Sequence, residues 1–298
     1  MTIRKFRNIV LLFIVILILI IVGCKKNNPF EACEQINNKI DRNNCYRDLI
    51  GTVHDPELCF KFVDAQVFSS ECFIEIGKHT EKLKYCDEIE EGYYNYKDKC
   101  ITGIAVEKKD LDICNKVPDK SFVGWCKNEV AIKLQNPEIC TSLTGLHKSN
   151  CLSKISSNLD DPKICDLHSE LLERDNCKLF VGKTNDNSES CSLIESQKIK
   201  NECLNHIGKS KGDLDICNQI TDGKKKELCI LSYAIENNDV QLCDSLEQSD
   251  FYQTPYKEMC LLGLSVKLND KSLCDGIIKD TSAKDHCKIG DWDVVIGE

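Results

Sequence analysis

Thiols are the side chains in this sequence that are numerous and ordered enough to do chemistry. Of 21 cysteines, twenty follow Cys24 and obey a rule. Cys45 and Cys59, Cys72 and Cys86, Cys100 and Cys114, Cys126 and Cys140, Cys151 and Cys165, Cys177 and Cys191, Cys203 and Cys217, Cys229 and Cys243, and Cys260 and Cys274 are each separated by fourteen positions. The intervals between these pairs vary from eleven (Cys140 to Cys151) to seventeen (Cys243 to Cys260). A fixed step alternating with a variable one, at a period near 26 residues, marks a repeat protein. Structural zinc sites bring thiolates in close pairs such as C-x2-C, and no two of the twenty stand closer than eleven positions. No metal or other cofactor is therefore expected, and the even, regular set reads as a disulfide framework.

That framework needs an oxidising compartment, and the N-terminus supplies the address. Arg4, Lys5 and Arg7 precede an unbroken apolar run, Ile9 to Val22. As a helix the run spans roughly 21 Å, short of the ~30 Å hydrocarbon core, which favours a signal-peptide h-region. The run ends Ile21-Val22-Gly23-Cys24, which resembles the lipobox of prokaryotic lipoproteins. The resemblance implies a signal peptide at 1–23, a diacylglyceryl group on Cys24, and a short polar tether at 24–29. The chain would then be lipid-anchored on the extracytoplasmic side of the cell membrane. An uncleaved signal anchor is the alternative, and both place residues 25–298 outside the cytoplasm.

The elements that must position the thiols follow from the residues around them. After the cysteine that opens each fourteen-step (the A cysteine), apolar residues recur at +1 and +4, as in Leu204 and Ile207 or Ile101 and Ile104. These share one helical face. Position +5 is small in eight of nine steps: Gly77, Ala105, Ala131, Ser156, Gly182, Gly208, Ala234 and Ser265. Such a residue lets a neighbouring helix approach. Four positions before the closing (B) cysteine stands Asp or Asn in eight of nine steps, for example Asp55, Asn136, Asp161 and Asp213. Proline follows at Pro56, Pro137 and Pro162, as an N-cap followed by N1. A second helix of two to three turns is expected from there, with an aliphatic residue three positions after its cysteine.

The unit is an α–α hairpin. The expected fold is all-α, an α-solenoid of about ten disulfide-stapled hairpins over residues 30–290, with a C-terminal tail at 291–298 in which Trp292 covers the last hairpin. Two pairings are regular. Joining each A cysteine to the next B cysteine strands Cys33 and Cys287. Joining each B cysteine to the next A cysteine (33–45, 59–72, 86–100, 114–126, 140–151, 165–177, 191–203, 217–229, 243–260 and 274–287) uses all twenty, and the chain begins with a B and ends with an A cysteine. The second pairing is expected. Each closed loop of 11–17 residues adds about 3 kcal/mol in the chain-entropy model.

Eight of ten A cysteines have Lys or Arg three positions earlier: Arg42, Lys97, Lys148, Arg174, Lys200, Lys226, Lys257 and Lys284. These read as a basic row for anionic partners or, more simply, as local partners of acids such as Asp98, Asp175 and Glu258. Aromatic residues collect in the variable segments. Tyr93, Tyr94, Tyr96, Phe122, Trp125, Phe251, Tyr252 and Tyr256 are candidate binding anchors, or plugs against the next hairpin. The six histidines occupy no common repeat position, and no G-x-S-x-G, H-E-x-x-H or phosphate loop occurs.

The arrangement resembles the tetratricopeptide and Sel1-like solenoids, especially secreted cysteine-rich Sel1-like proteins that staple each helical pair with a disulfide. It departs from them in its period and in lacking their Gly- and Ala-rich consensus. The resemblance implies a binding surface and carries over no site residue. The formal charge of −9 argues against nucleic acid. The expected function is a membrane-anchored extracytoplasmic lipoprotein that binds or scaffolds protein or glycan partners, and no catalytic motif points to an enzyme. The alternatives are a cell-envelope hydrolase with an acidic groove and a passive surface-coat component.

Overall fold

Each A cysteine lies in the second turn of a long helix. The computed structural model describes residues 29–62, 66–90, 95–246, 250–251, 254–277 and 281–289. Its long helices are α1 (Lys39–Val53), α2 (Gln66–Thr80), α3 (Tyr96–Lys108), α4 (Lys120–Leu134), α5 (Gly145–Leu159), α6 (Leu171–Asn185), α7 (Gln197–Lys211), α8 (Gly223–Asn237), α9 (Tyr256–Leu268) and α10 (Thr281–Ile289). A short helix carrying the B cysteine precedes each, as Leu214–Asn218 precedes α8. The chain is all-α, a stack of disulfide-stapled helical hairpins of the α-solenoid type. A two-residue antiparallel ribbon, Asp250–Phe251 against Thr254–Pro255, lies in the longest B-to-A interval. Two compact units divide within α4, one up to Cys126 and one from Lys127. Inside each unit successive long helices pack on one another.

The invariant fourteen-step has a backbone cause. Nine positions after every A cysteine that opens a step the chain enters the left-handed region: His54 (φ 49°), Glu81 (55°), Lys109 (56°), Gln135 (54°), Asp160 (51°), Asp186 (51°), Gly212 (56°), Asn238 (59°) and Asn269 (51°). In seven of the nine steps the next residue then donates its N–H to the +5 carbonyl. Asp110 reaches Ala105 at 2.9 Å, Asp161 reaches Ser156 at 2.9 Å and Asp213 reaches Gly208 at 3.0 Å. This is the Schellman closure of a helix C-terminus. The same Asp or Asn caps the short helix that follows. Asp110 Oδ1 accepts from Asp112 N at 2.9 Å, and Asn136 Oδ1 from Glu138 N at 3.0 Å. At these steps one residue ends a helix and starts the next, so no residue can be inserted at the junction without separating the two caps.

The short helices are shorter than the two to three turns expected. They run four to six residues, and Pro56–Lys61, Pro162–Leu167 and Lys271–Gly276 are 3-10 helices. Their ends explain it. The residue three after the B cysteine donates its N–H to that cysteine's carbonyl, as from Val117 to Cys114 (3.2 Å), Leu143 to Cys140 (3.0 Å) and Ile220 to Cys217 (3.2 Å). This tight i+3 bond replaces helix propagation and turns the aliphatic side chain into the core. Val117, Ile194, Ile220, Leu246 and Ile277 are all buried there.

The core between hairpins is narrow and falls into successive clusters, one or two hairpins each. Ile101, Ile104, Leu152, Ile155, Leu204, Ile207, Leu261 and Leu264, at +1 and +4, are buried. Burying each such side chain contributes about 1.5–3 kcal/mol. The small +5 residue has a more specific task than admitting a helix: it sits under the next hairpin's disulfide. A Cβ on Gly77 would meet Cys100 Sγ at 3.0 Å, on Gly182 Cys203 Sγ at 2.6 Å, and on Gly208 Cys229 Sγ at 2.5 Å. Where the residue is serine, its hydroxyl lies beside the bridge: Ser156 Oγ is 3.4 Å from Cys165 Sγ, and Ser265 Oγ 3.2 Å from Cys287 Sγ.

Candidate functional site

Ten disulfides each join a B cysteine to the next A cysteine, as the parity of the series requires. Cys33 is bonded to Cys45, Cys59 to Cys72, Cys86 to Cys100, Cys114 to Cys126, and Cys140 to Cys151. Cys165 is bonded to Cys177, Cys191 to Cys203, Cys217 to Cys229, Cys243 to Cys260, and Cys274 to Cys287. The Cα separations run from 5.3 Å to 5.8 Å, well inside the range a bridge accepts. Cys59, Cys86, Cys191 and Cys274, on the short helices, are as deeply buried as Cys72, Cys100, Cys203 and Cys287, their partners on the long ones. Cys24 and the whole signal segment lie outside the described residues, and no described helix is long and apolar enough to cross a membrane. No group of three or more His, Cys, Asp or Glu that could hold a metal occurs among the described residues.

Half of the basic row, Lys97, Lys200, Lys257 and Lys284, is built into the hairpins, while Arg174 pairs with Glu195 at 3.7 Å and Arg42 Nε is buried without a partner. Lys97 Nζ reaches Asp87 at 3.0 Å, and Lys257 Nζ reaches Asp244 at 2.7 Å. Lys200 Nζ donates to the Ser192 carbonyl at 2.9 Å, and Lys284 Nζ to the Asp275 carbonyl at 3.3 Å. These partners stand one residue after Cys86, Cys243, Cys191 and Cys274 respectively. The cation therefore meets the C-terminal end of the short helix, where helix carbonyls favour positive charge. Asp98 and Asp175, one position after their cations, have a different task. Both are buried and hold the backbone of the following turn. Asp98 accepts from Asp119 N at 3.3 Å, and Asp175 accepts from Glu195 N at 3.0 Å and Ser196 N at 2.8 Å. Asn201 does the same for Thr221 N at 3.0 Å. Burial raises the Asp98 carboxyl above its usual range against the opposing pull of the Asp119 N–H. The local pairing that the sequence suggested is corrected for Asp98 and Asp175: each is a latch to the next hairpin.

The aromatic candidates part company. Tyr93, Tyr94, Tyr252 and Trp292 lie outside the described residues, and Phe251 is placed only as part of the short ribbon. Phe122 and Trp125 are half-buried in the first two turns of α4, edge to face at 5.8 Å between centroids. Tyr256 is 1% exposed in the core around α9 and presents no surface for a partner. It stands four positions before Cys260, on the same buried helical face. Tyr96 lies four before Cys100 and is half-buried, and it lines a groove.

That groove lies in the first unit. It runs across α1, α2 and α3 with a volume of about 870 Å³. Its floor is apolar: Ile50, Phe62 and Ile74 line it, with Phe68 and Tyr96 beside them. Arg47 lies 4.3 Å above the centre of the Phe68 ring, and Lys99 Nζ is 5.1 Å from that of Tyr96. Such cation–π contacts add about 0.5–1 kcal/mol at exposed sites. One end of the groove is marked by His54 and His79, whose rings stack at 3.5 Å and 15°. His54 Nδ1 is buried and has no hydrogen-bond partner. Glu71, Glu75, Glu81 and Glu107 complete the rim with Lys78, which pairs with Glu75 at 2.8 Å.

Sequence reading did not find this groove. Its residues come from three hairpins, and those at a shared repeat position, such as His54 and Glu81, carry different side chains. His168 was also passed over. It stands three after Cys165, where eight of the other nine hairpins carry an aliphatic residue and one carries Phe62, and it is 2% exposed. Its Nδ1 is 3.1 Å from Glu173 Oε2, while Nε2 has no partner. Burial holds its pKa below the ordinary histidine value, with Glu173 partly opposing. No protein-family profile, no curated protein and no solved structure matches this chain.

Proposed function

We propose that this chain is an extracytoplasmic lipoprotein, anchored through lipid on Cys24, whose disulfide-stapled hairpins present a binding surface for a protein or glycan partner. The observation that carries the reading is the groove across α1, α2 and α3. It combines an apolar floor, aromatic rings, two imidazoles and charges of both signs in one open depression. The lining is mixed, with Ile50, Phe62, Phe68, Ile74 and Tyr96 set among nine charged or histidine side chains, and convergent polar groups beside apolar ones are what ligand sites use. The lipobox-like end of the apolar run and the twenty paired cysteines support the compartment. Hydrogen exchange on the purified chain, with and without detergent-solubilised envelope material, tests the groove. Protection concentrated on α1–α3 is the expected result, and unchanged exchange there would refute it. Membrane release of a Cys24→Ser variant tests the anchor.

A second reading has one observation in its favour. Two histidines and four glutamates share the groove, as a hydrolase of envelope material would require. No hydrogen bond joins His54 or His79 to a carboxylate among the described residues, so neither imidazole is held as a general base by an acid. Turnover of an envelope polymer by the intact chain, abolished in His79→Ala, would establish that reading.

A further inference from the structure

The first turns of α5, α6, α7 and α8 form one edge of the second unit. Leu146, Leu172, Lys198 and Lys224 each stand five positions before an A cysteine, so they share one repeat position on four successively packed helices. At about 8–10 Å per helix layer the row spans roughly 24–30 Å. Its apolar half is bare. Leu146 is 87% exposed and Leu172 64%, and Leu167 and Leu171, just before Leu172 in the chain, are exposed as well. Its basic half runs against local preference. Helix N-terminal turns favour acids, yet α7 has none in its first turn, and α8 has none beyond its Asp222 cap. Instead α8 opens with Lys224, Lys225 and Lys226, and its last turn carries no cation. Lys198 and Lys224 are exposed, and their ammonium groups make no hydrogen bond or ion pair among the described residues. Most neighbouring acids are engaged. Glu173 lies 3.1 Å from His168, Glu195 3.7 Å from Arg174, and Asp222 accepts from Lys225 N at 3.1 Å. Glu170, beside Leu171, is an exposed acid and the exception.

We infer that this edge docks on the surface of an anionic phospholipid bilayer, with Leu146 and Leu172 entering among the acyl chains and Lys198 and Lys224 meeting lipid phosphates. The membrane-anchored reading above supplies the bilayer, and the edge is a second contact made by residues that the anchor does not involve. Leucine for the acyl boundary with lysine for the headgroups is the pairing found in structures that lie on a membrane. Protein interfaces choose otherwise. They are enriched in aromatic residues and arginine and depleted in lysine, and leucine is scarce among their hot spots. These four first turns hold no Phe, Tyr or Trp, and their one arginine is turned to Glu195. Docking would orient the second unit with the N-terminal ends of α5–α8 toward the lipid.

The test is hydrogen exchange on the oxidised full chain in lipid nanodiscs, which accept it through either form of the N-terminal anchor. The first turns of α5, α6 and α7 have no side-chain cap, and such amides lack an intrahelical acceptor, so cover by lipid is readable there. Exchange at residues 145–148, 171–174, 197–200 and 223–226 should be slower by about fivefold or more in phosphatidylglycerol discs than in neutral detergent, with no slowing at the C-terminal turns of the same helices. The double variants Leu146→Ser with Leu172→Ser, and Lys198→Glu with Lys224→Glu, should each lose the effect. All four side chains are exposed, and unchanged thermal melts check that both variants fold. Equal exchange in discs and detergent, on chain that stays bound to the discs, would overturn the edge and leave the anchor standing. Chain that does not associate with phosphatidylcholine discs would refute the anchor, and the edge is then read with phosphatidylglycerol discs in excess. Equal slowing by soluble polyphosphate or polyglutamate would overturn the membrane assignment, giving the edge to a soluble anion or an acidic protein.

Discussion

Gly208 and Gly51 both sit inside long helices and answer to opposite pressures. At Gly208 a Cβ would lie 2.5 Å from Cys229 Sγ and 3.0 Å from Cys217 Sγ, a bridge that cannot move aside. Gly208→Ala should cost about 1–3 kcal/mol by overpacking. Gly51→Ala, facing open space, should add about 0.5–1 kcal/mol. Thermal melts of the two variants should therefore move in opposite directions. His168 makes a second residue-scale case. Its folded pKa is below its unfolded value because burial disfavours the imidazolium. The unfolded chain then binds more protons, and stability rises with pH through that window. The full contribution is present above about pH 6.5, the unfolded value, and is lost as pH falls below it. His168→Ile, which restores the aliphatic residue of the other hairpins, should remove this slope in urea titrations between pH 5 and 7.5. Asp175 is fully buried and accepts two backbone N–H groups of the next hairpin's turn. Asp175→Ala leaves those donors unsatisfied, at about 1–3 kcal/mol each, and faster amide exchange at Glu195 and Ser196 should report it.

At the scale of the element, the junction between long and short helix is the rigid part of the repeat. Every step places its ninth residue at positive φ, and one of the nine is glycine. The others hold a side chain in a conformation that costs roughly 1 kcal/mol or more outside Gly, Asn and Asp. Lys109→Gly should therefore stabilise by about 1 kcal/mol, raising the denaturation midpoint without changing the slope against urea. Much of this junction was legible. The Asp and Asn caps announced the short helices, and Gly212, Asn238, Asn269, Asp160 and Asp186 at the ninth position are the residue types that tolerate left-handed backbone. His54, Glu81, Lys109 and Gln135 at the same position hid the rule, because tertiary context imposes the conformation on residues with no preference for it. Helix length was misread because nothing in the composition of Leu214–Asn218 says that Ile220 will bond back to Cys217 and stop it. Between the two readings of the aromatic residues, Tyr256 follows the plug: Tyr96, Phe122 and Tyr256 stand four positions before an A cysteine, one turn up its helical face, and Tyr256 is core. The groove was not legible at all, because it requires three helices to be side by side.

For the whole molecule the question is how an array with so narrow a core stays folded. Each hairpin buries a few aliphatic side chains and a short helix too brief to persist in water. A bridge closing a loop of 11 to 17 residues contributes about 3 kcal/mol by restricting the unfolded chain. Net stabilities of domains are about 5–15 kcal/mol, so the margin cannot survive loss of the full set. Complete reduction should abolish the helical far-UV signal at room temperature. Deleting one bridge tests how far the damage spreads. In a stack where each hairpin touches only its neighbours, a lost bridge loosens its own hairpin and the two beside it. Removing the pair Cys217 and Cys229 together by alanine should thus lower amide protection in α7, α8 and the short helix Leu214–Asn218, and leave α5 near its parent value. It also opens space over Gly208, whose place under those sulfurs disappears. Gly208→Ala should then cost far less in the bridge-deleted chain than in the parent, and that double-mutant coupling measures the contact directly. Equal costs in the two backgrounds would mean that the sulfurs do not define the glycine, and that the fourteen-residue step is held by the helix caps alone.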